Sequence, residues 1–172
     1  NTGDLGCPSP IVNGGVWEPE NLSVLYSFLT PTTVFLDVGA NVGYFSIAIG
    51  NRLKRGGQVF SFEPHPKLTN LIERSVQLNG LEAVVRVLQC AVSDEEGMLD
   101  LFYPDDHLGK GSTARNANEQ GKTLRVPAHR VDDIVDKSLT VDLIKIDVEG
   151  HELPVLRGMV DIFARSPRVK VL

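Results

Sequence analysis

Three acids in this chain stand where apolar runs give way to turns. Asp37 sits inside VFLDVGANVG, Glu63 closes QVFSFEP, and Asp147 follows the apolar part of VDLIKIDVEG. A carboxylate in such a place can accept from hydroxyls, balance a cation or take a proton, provided the fold gathers the acids around one crevice. Beside Asp37, Gly39 and Gly43 can take positive φ and expose bare backbone, with Asn41 between them. The unpaired N–H groups of the helix that follows point at the same spot. These residues suit a small molecule lying against the turn. Close behind Asp147 come Glu149 and His151. Any of the three can act as a general base or orient a nucleophile, and His151 is favoured because an imidazole titrates near neutrality. A plainer role also exists for His151 and Glu152, which can simply open the next helix.

The surrounding pattern shows what must position these groups. Val34 to Val38 read as a buried strand, and apolar residues at helical spacing from Tyr44 to Leu53 follow it, closed by Gly56-Gly57. Residues 58 to 64 give a second strand, and Pro66 starts a helix running to Leu78 with Asn79-Gly80 after it. A third strand is expected in VVRVLQCAV, 84 to 92, and a fourth in 141 to 150. The helix HELPVLRGMVDIFAR follows, its core face formed by Val155, Leu156, Met159 and Phe163. VKVL at 169 to 172 reads as a fifth strand, and a short helix near 19 to 28 precedes the first. Strand and helix alternate, so the fold class is α/β, a mostly parallel twisted sheet with helices on both faces. Between the third and fourth strands the alternation is interrupted by strand-like MLDLFYP and TLRVPAHRV, separated by a long polar loop, with a short helix near 131 to 135. The whole chain, 1 to 172, reads as a single domain, with residues 1 to 16 an irregular leader.

Composition narrows the class. A chain of 172 residues with 42% hydrophobic residues can bury a sizeable core. Its formal net charge of −5 and scattered Lys and Arg argue against a nucleic-acid partner. No apolar run approaches the ~20 residues of a membrane helix, so no membrane partner and a cytoplasmic location are expected. Of two cysteines, Cys7 lies in the leader and Cys90 in an apolar strand pattern, the setting of a reduced, core-filling thiol. The chain begins without Met and stops in an apolar run. It therefore reads as a piece of a longer product lacking C-terminal strands, with an exposed sheet edge through which copies could associate.

The ligand can be argued from the same acids. Glu63 follows Gly39 at close to the ~20-residue spacing at which an acid after a nucleotide-type turn bonds ribose hydroxyls. Capping the following helix is its alternative role. A dinucleotide loop wants GxGxxG, whereas the positions here hold Gly39, Asn41 and Tyr44, and no Lys stands at the Walker spacing. Asp37, just before the turn, would repel a pyrophosphate but suit a ligand carrying an ammonium and a sulfonium. S-adenosylmethionine carries both.

VFLDVGANVGYFSIAIG, then FSFEPHPKLTNLIERSVQLNGL, then VDLIKIDVEGHELPVLRGM together resemble the FkbM-type class I methyltransferases. The resemblance spans Trp17 to Met159. It implies a Rossmann-like class I fold, S-adenosylmethionine as cofactor and an oxygen as methyl acceptor on a small molecule or sugar. By carry-over, Asp37, Gly39, Asn41 and Gly43 match the cofactor loop, Glu63 the ribose contact, and Ala91 with Val92 the adenine side. The IDVEGHE block matches the motif beside the transferred methyl.

Other chemistry is weighed against this. HELPV begins like a zinc-protease HExxH but ends in Val155, so no metal site is expected there. Asp105, Asp106 and His107 could gather a cation but read as a solvated loop. Mg²⁺ on Asp147 and Glu149 is compatible with carboxylate chemistry and is not part of the expectation. A nicotinamide-dependent oxidoreductase of doubly wound fold and a non-catalytic adenosine-binding fragment are the alternatives to an O-methyltransferase.

Overall fold

The computed structural model describes residues 15–53, 56–104, 111–113 and 120–172. Helix α1, Pro19–Ser27, starts on a proline whose fixed φ suits the first turn, and it buries Leu22 and Leu25. Strand β1, Val34–Val38, follows and is buried along its whole length. Helix α2, Tyr44–Arg52, leads to β2, Gln58–Phe62. Helix α3, Pro66–Asn79, is stopped by Gly80 at φ 62° and leads to β3, Val85–Leu88. Farther along, β7, Leu143–Ile146, and β8, Lys170–Val171, join the same sheet. All pairings within it are parallel, in the order β3-β2-β1-β7-β8.

This order reverses direction at β1, which makes the carboxyl end of β1 the place where a crevice opens. Side-chain alternation explains why both faces are covered. Leu36, Val38, Phe60, Phe62 and Ile144 face one core with Val155, Met159 and Ile162. Phe35, Val59 and Leu143 face the other with Ile49 and Ile72. Apolar burial of this kind contributes about 1.5–3 kcal/mol per large side chain and fixes the strand register, because a one-residue slip would exchange the faces.

The expected third strand is two elements. Val85–Leu88 stays in the main sheet, whereas β4, Ala91–Val92, leaves it and pairs parallel with β6, Gly121–His129. Strand β5, Gly97–Pro104, runs antiparallel to β6 from Gly97↔Ala128 to Pro104↔Gly121, completing a second sheet in the order β4-β6-β5. The two strand-like segments in the interruption are therefore a hairpin. Ser112, in the connection, forms a bridge with Phe102. Asp105, Asp106, His107 and Cys7 lie outside the described residues. The short helix α4, Val131–Ile134, stands where the sequence puts it.

The long helix expected after Asp147 is also two pieces, α5, Glu152–Arg157, and α6, Val160–Arg165. The break falls at Gly158, whose bare Cα lies so close to Ser93 that an added Cβ would stand 2.1 Å from its carbonyl oxygen. The Gly158 carbonyl in turn accepts from Asp132 N–H at 3.1 Å. Asp132 caps α6 by accepting from the N–H groups of Asp161 and Ile162, at 3.1 and 2.9 Å. Val155, Met159 and Ile162 are fully buried at the i, i+4, i+7 spacing of one helical face, so the core stripe continues across the break, while Leu156 is 36% exposed and Phe163 is only half-buried against the core. Cys90 is a free, buried cysteine, and burial pushes its thiol up to about 11. Among the described residues no helix is long and apolar enough to cross a membrane.

Candidate functional site

Register alone brings the site together. Asp37 in β1 lies opposite Ser61 in β2 and Lys145 in β7, so three polar residues form one rung through an otherwise apolar sheet. All three are buried, and Ser46 from α2 completes the group. The Ser46 hydroxyl oxygen is 2.7 Å from Asp37 Oδ2 and 2.9 Å from Ser61 Oγ. One step farther, beyond the strand ends, stand Gly39, Glu63 and Asp147. Gly39 N–H and Ala40 N–H both donate to the Phe62 carbonyl at 3.0 Å, and Asp147 N–H donates to the Val38 carbonyl at 3.0 Å.

The turn between β1 and α2 is held in the left-handed region at three positions, Gly39 at φ 75°, Asn41 at 54° and Gly43 at 80°. Gly39 is glycine because β7 passes against it. A Cβ there would meet the Asp147 carbonyl oxygen at 2.0 Å. Asn41 is the residue type that tolerates this conformation best after glycine. Its backbone N–H donates to Glu63 Oε2 at 2.8 Å, while Glu63 Oε1 accepts from His65 N–H at 2.9 Å. Glu63 thus ties the turn to the end of β2. Helix α3 is capped instead by His65, whose Nδ1 accepts from Lys67 N–H at 3.1 Å. Burial pushes the Glu63 carboxyl up to about 7, against the two backbone donors that favour its charged form. Tyr103, from the hairpin, is buried edge-on to the His65 ring with centroids 4.8 Å apart. Burial, with the Glu63 charge behind it, raises its phenol above the ordinary value.

Among the described residues two buried acceptors here have no hydrogen-bond donor, Asp37 Oδ1, whose nearest cation is Lys145 Nζ at 3.8 Å, and Asn41 Oδ1. Buried polar atoms are nearly always paired, so a pair of orphaned acceptors marks a place suited to a ligand with N–H or O–H donors and positive charge. Both the charge and the donor requirement disfavour a pyrophosphate.

The three candidates after β7 line one turn but are not hydrogen-bonded to one another. Asp147 is exposed and lies 3.4 Å from Lys145 Nζ. Glu149 is held at φ 48° and Gly150 at 94°, and Ser112 Oγ donates to the Glu149 carbonyl at 3.1 Å. His151 Nε2 is 3.1 Å from Ser93 Oγ, which directs the ring toward the end of β4. Glu152 accepts from Gly150 N–H at 3.0 Å, the helix-opening role considered for this pair. Ala91 and Val92 lie in β4 with buried side chains, Ala91 packed under the hairpin and Val92 in the main core. Among the described residues no three of His, Cys, Asp and Glu gather as a metal site. Sequence reasoning missed Ser46, Ser61 and Lys145. The latter two are the buried polar residues of their strands, two positions before Glu63 and Asp147, as Asp37 is two before Gly39.

A parallel α/β sheet with an acid-lined turn at its switch point is a Rossmann-like arrangement, and the fold is that of the class I methyltransferase-like structures. The family described as the Methyltransferase FkbM domain matches residues 37–172, and the chain belongs to that family. It is 30% identical over 172 residues to the 31-O-demethyl-FK506 methyltransferase FkbM of Streptomyces tacrolimicus, covering 83% of this chain and 64% of that one. To the hexuronic acid methyltransferase AglP of Haloferax volcanii it is 29% identical over 145 residues, covering 83% and 56%. The crystal structure of a methyltransferase FkbM from Methylobacillus flagellatus superposes with a TM-score of 0.58 at 18% identity, over 83% of this chain and 32% of that one. The chain spans less than two thirds of the length of the curated relatives it matches.

Proposed function

We propose that this chain is an S-adenosylmethionine-dependent methyltransferase domain acting on a hydroxyl of a small molecule or sugar. The observation that carries the reading is the turn at the end of β1, where Glu63 is tied to Asn41 N–H and the acceptors Asp37 Oδ1 and Asn41 Oδ1 lack donors. Glu63 would hold the ribose hydroxyls, since each of its oxygens keeps a second lone pair after accepting one backbone N–H. The turn and its orphaned acceptors would receive the cationic amino-acid end. Bound there, the cofactor supplies an electrophilic methyl on a sulfonium. The protein's own work is then to align the acceptor oxygen, exclude water and receive its proton. Asp147, Glu149 and His151, in the turn after β7, are the groups that can do so, and the left-handed Glu149-Gly150 pair holds their backbone in a fixed shape. The names of two relatives, a 31-O-demethyl-FK506 and a hexuronic acid methyltransferase, support an oxygen acceptor.

Calorimetric titration with S-adenosylmethionine, S-adenosylhomocysteine and NAD tests the reading. Binding of both sulfur ligands without NAD is expected. Heat from NAD alone would favour the oxidoreductase alternative and end this one.

A further inference from the structure

We propose that Lys145 is the positioning residue of this site, joining the buried acid under the cofactor turn to the acid that faces the reaction. The inference rests on the methyltransferase reading. Lys145 lies in β7 and is 6% exposed, an expensive place for an ammonium unless charge surrounds it. Its Nζ is 3.8 Å from Asp37 Oδ1, 3.4 Å from Asp147 Oδ2 and 5.2 Å from the centroid of the Phe45 ring. If neutralising Asp37 were its whole task, the short contact would go to Asp37, which is fully buried and whose Oδ1 has no hydrogen-bond donor. The shorter contact goes instead to Asp147, whose side chain is 61% exposed and free to take other rotamers.

The arrangement follows from strand parity. Lys145 and Asp147 share a face of β7, and register places Lys145 opposite Asp37 on β1. One ammonium can therefore reach back under the turn and forward to the strand end. The backbone carbonyl of Asp147 packs against Gly39 of the turn, and its exposed carboxylate is held by the Lys145 ammonium at the strand end. Lys145 lies 3.8 Å from Asp37 Oδ1 beneath the turn and acts on the reacting end through Asp147.

A double-mutant cycle on binding tests this, using S-adenosylmethionine as the probe in calorimetry. Lys145→Met is expected to weaken binding several-fold when Asp147 is present and by less than twofold in an Asp147→Asn background, while Lys145→Arg keeps most of the affinity. An equal loss in both backgrounds, or no loss in either, would overturn the proposal, because a lysine serving only Asp37 or the fold does not depend on Asp147. If Lys145→Met does not fold, the cycle is run with Lys145→Gln, whose amide can still donate to the buried Asp37 carboxylate while removing the charge that holds Asp147. A wild-type chain that binds NAD and not S-adenosylmethionine would remove the methyltransferase reading and this inference together, an outcome distinct from additive losses in a chain that binds.

Discussion

If Glu63 holds the ribose as proposed, its carboxyl should make ligand affinity a function of pH in the accessible range. Burial pushes it up to about 7, opposed by backbone N–H donors from His65 and Asn41 and by Lys145, and reinforced by Asp37. A ribose hydroxyl pair donates best to the charged form, so a ligand must displace the proton wherever the free protein holds one. Affinity then falls about tenfold per pH unit below about 7 and levels off above it. Between pH 8 and pH 5.5 the loss comes to about 30-fold, or ~2 kcal/mol. The suitable probe is 5′-methylthioadenosine, which keeps the nucleoside but carries no amine that titrates near neutrality. Its dissociation constant would be followed by calorimetry across that range for the wild type and for Glu63→Gln. The variant should bind weakly at every pH, because its amide N–H₂ must face one of the two backbone donors, and its affinity should be flat. A wild-type affinity independent of pH, or the same slope in the variant, would refute the reasoning.

The same carboxyl acts on folding. Its folded value lies above the ordinary 4.5, so its favourable contribution is present below about 4.5 and lost as pH rises through about 7, an effect of about 3 kcal/mol. Denaturant unfolding at pH 5 and 8 should show that loss in the wild type and not in Glu63→Gln. Gly39→Ala should lower stability by about 2–5 kcal/mol and abolish cofactor binding, since the new Cβ meets the Asp147 carbonyl at a positive φ; an unchanged melting temperature would contradict the close approach. Ser46→Ala removes the hydroxyl 2.7 Å from Asp37 Oδ2 and should cost about 1–3 kcal/mol in thermal unfolding. With Cys7→Ser in place, the buried Cys90 thiol should resist a thiol reagent until the protein unfolds, and rapid labelling of the native protein would count against its burial.

How much of this was legible in the sequence depended on whether a residue's role was local. The strand, glycine turn and helix from Val34 to Arg52 follow from apolar periodicity and from glycines that only a left-handed turn requires, and they stand where the pattern puts them. The parallel order followed from alternation. The division of 84 to 92 was not visible, because VVRVLQCAV is uniformly strand-forming and only its tertiary partners send Ala91 and Val92 to a second sheet. The break at Gly158 was hidden for a related reason. A glycine inside a helical pattern is compatible with a continuous helix, and the carbonyl of Ser93 that demands it comes from far away in the chain. Nothing local in LIKI marks Lys145, and only register sets it opposite Asp37. Candidate residues at strand ends could be named from the chain alone, whereas the residues that hold them in place could not.

A crystal structure of the chain soaked with S-adenosylhomocysteine bears most directly on the central claim. The account expects the ribose hydroxyls on the Glu63 carboxylate and the sulfur on the Asp147 side of the turn. Nucleoside density elsewhere, or in a parallel NAD soak pyrophosphate oxygens seated against the Gly39 backbone, would contradict it.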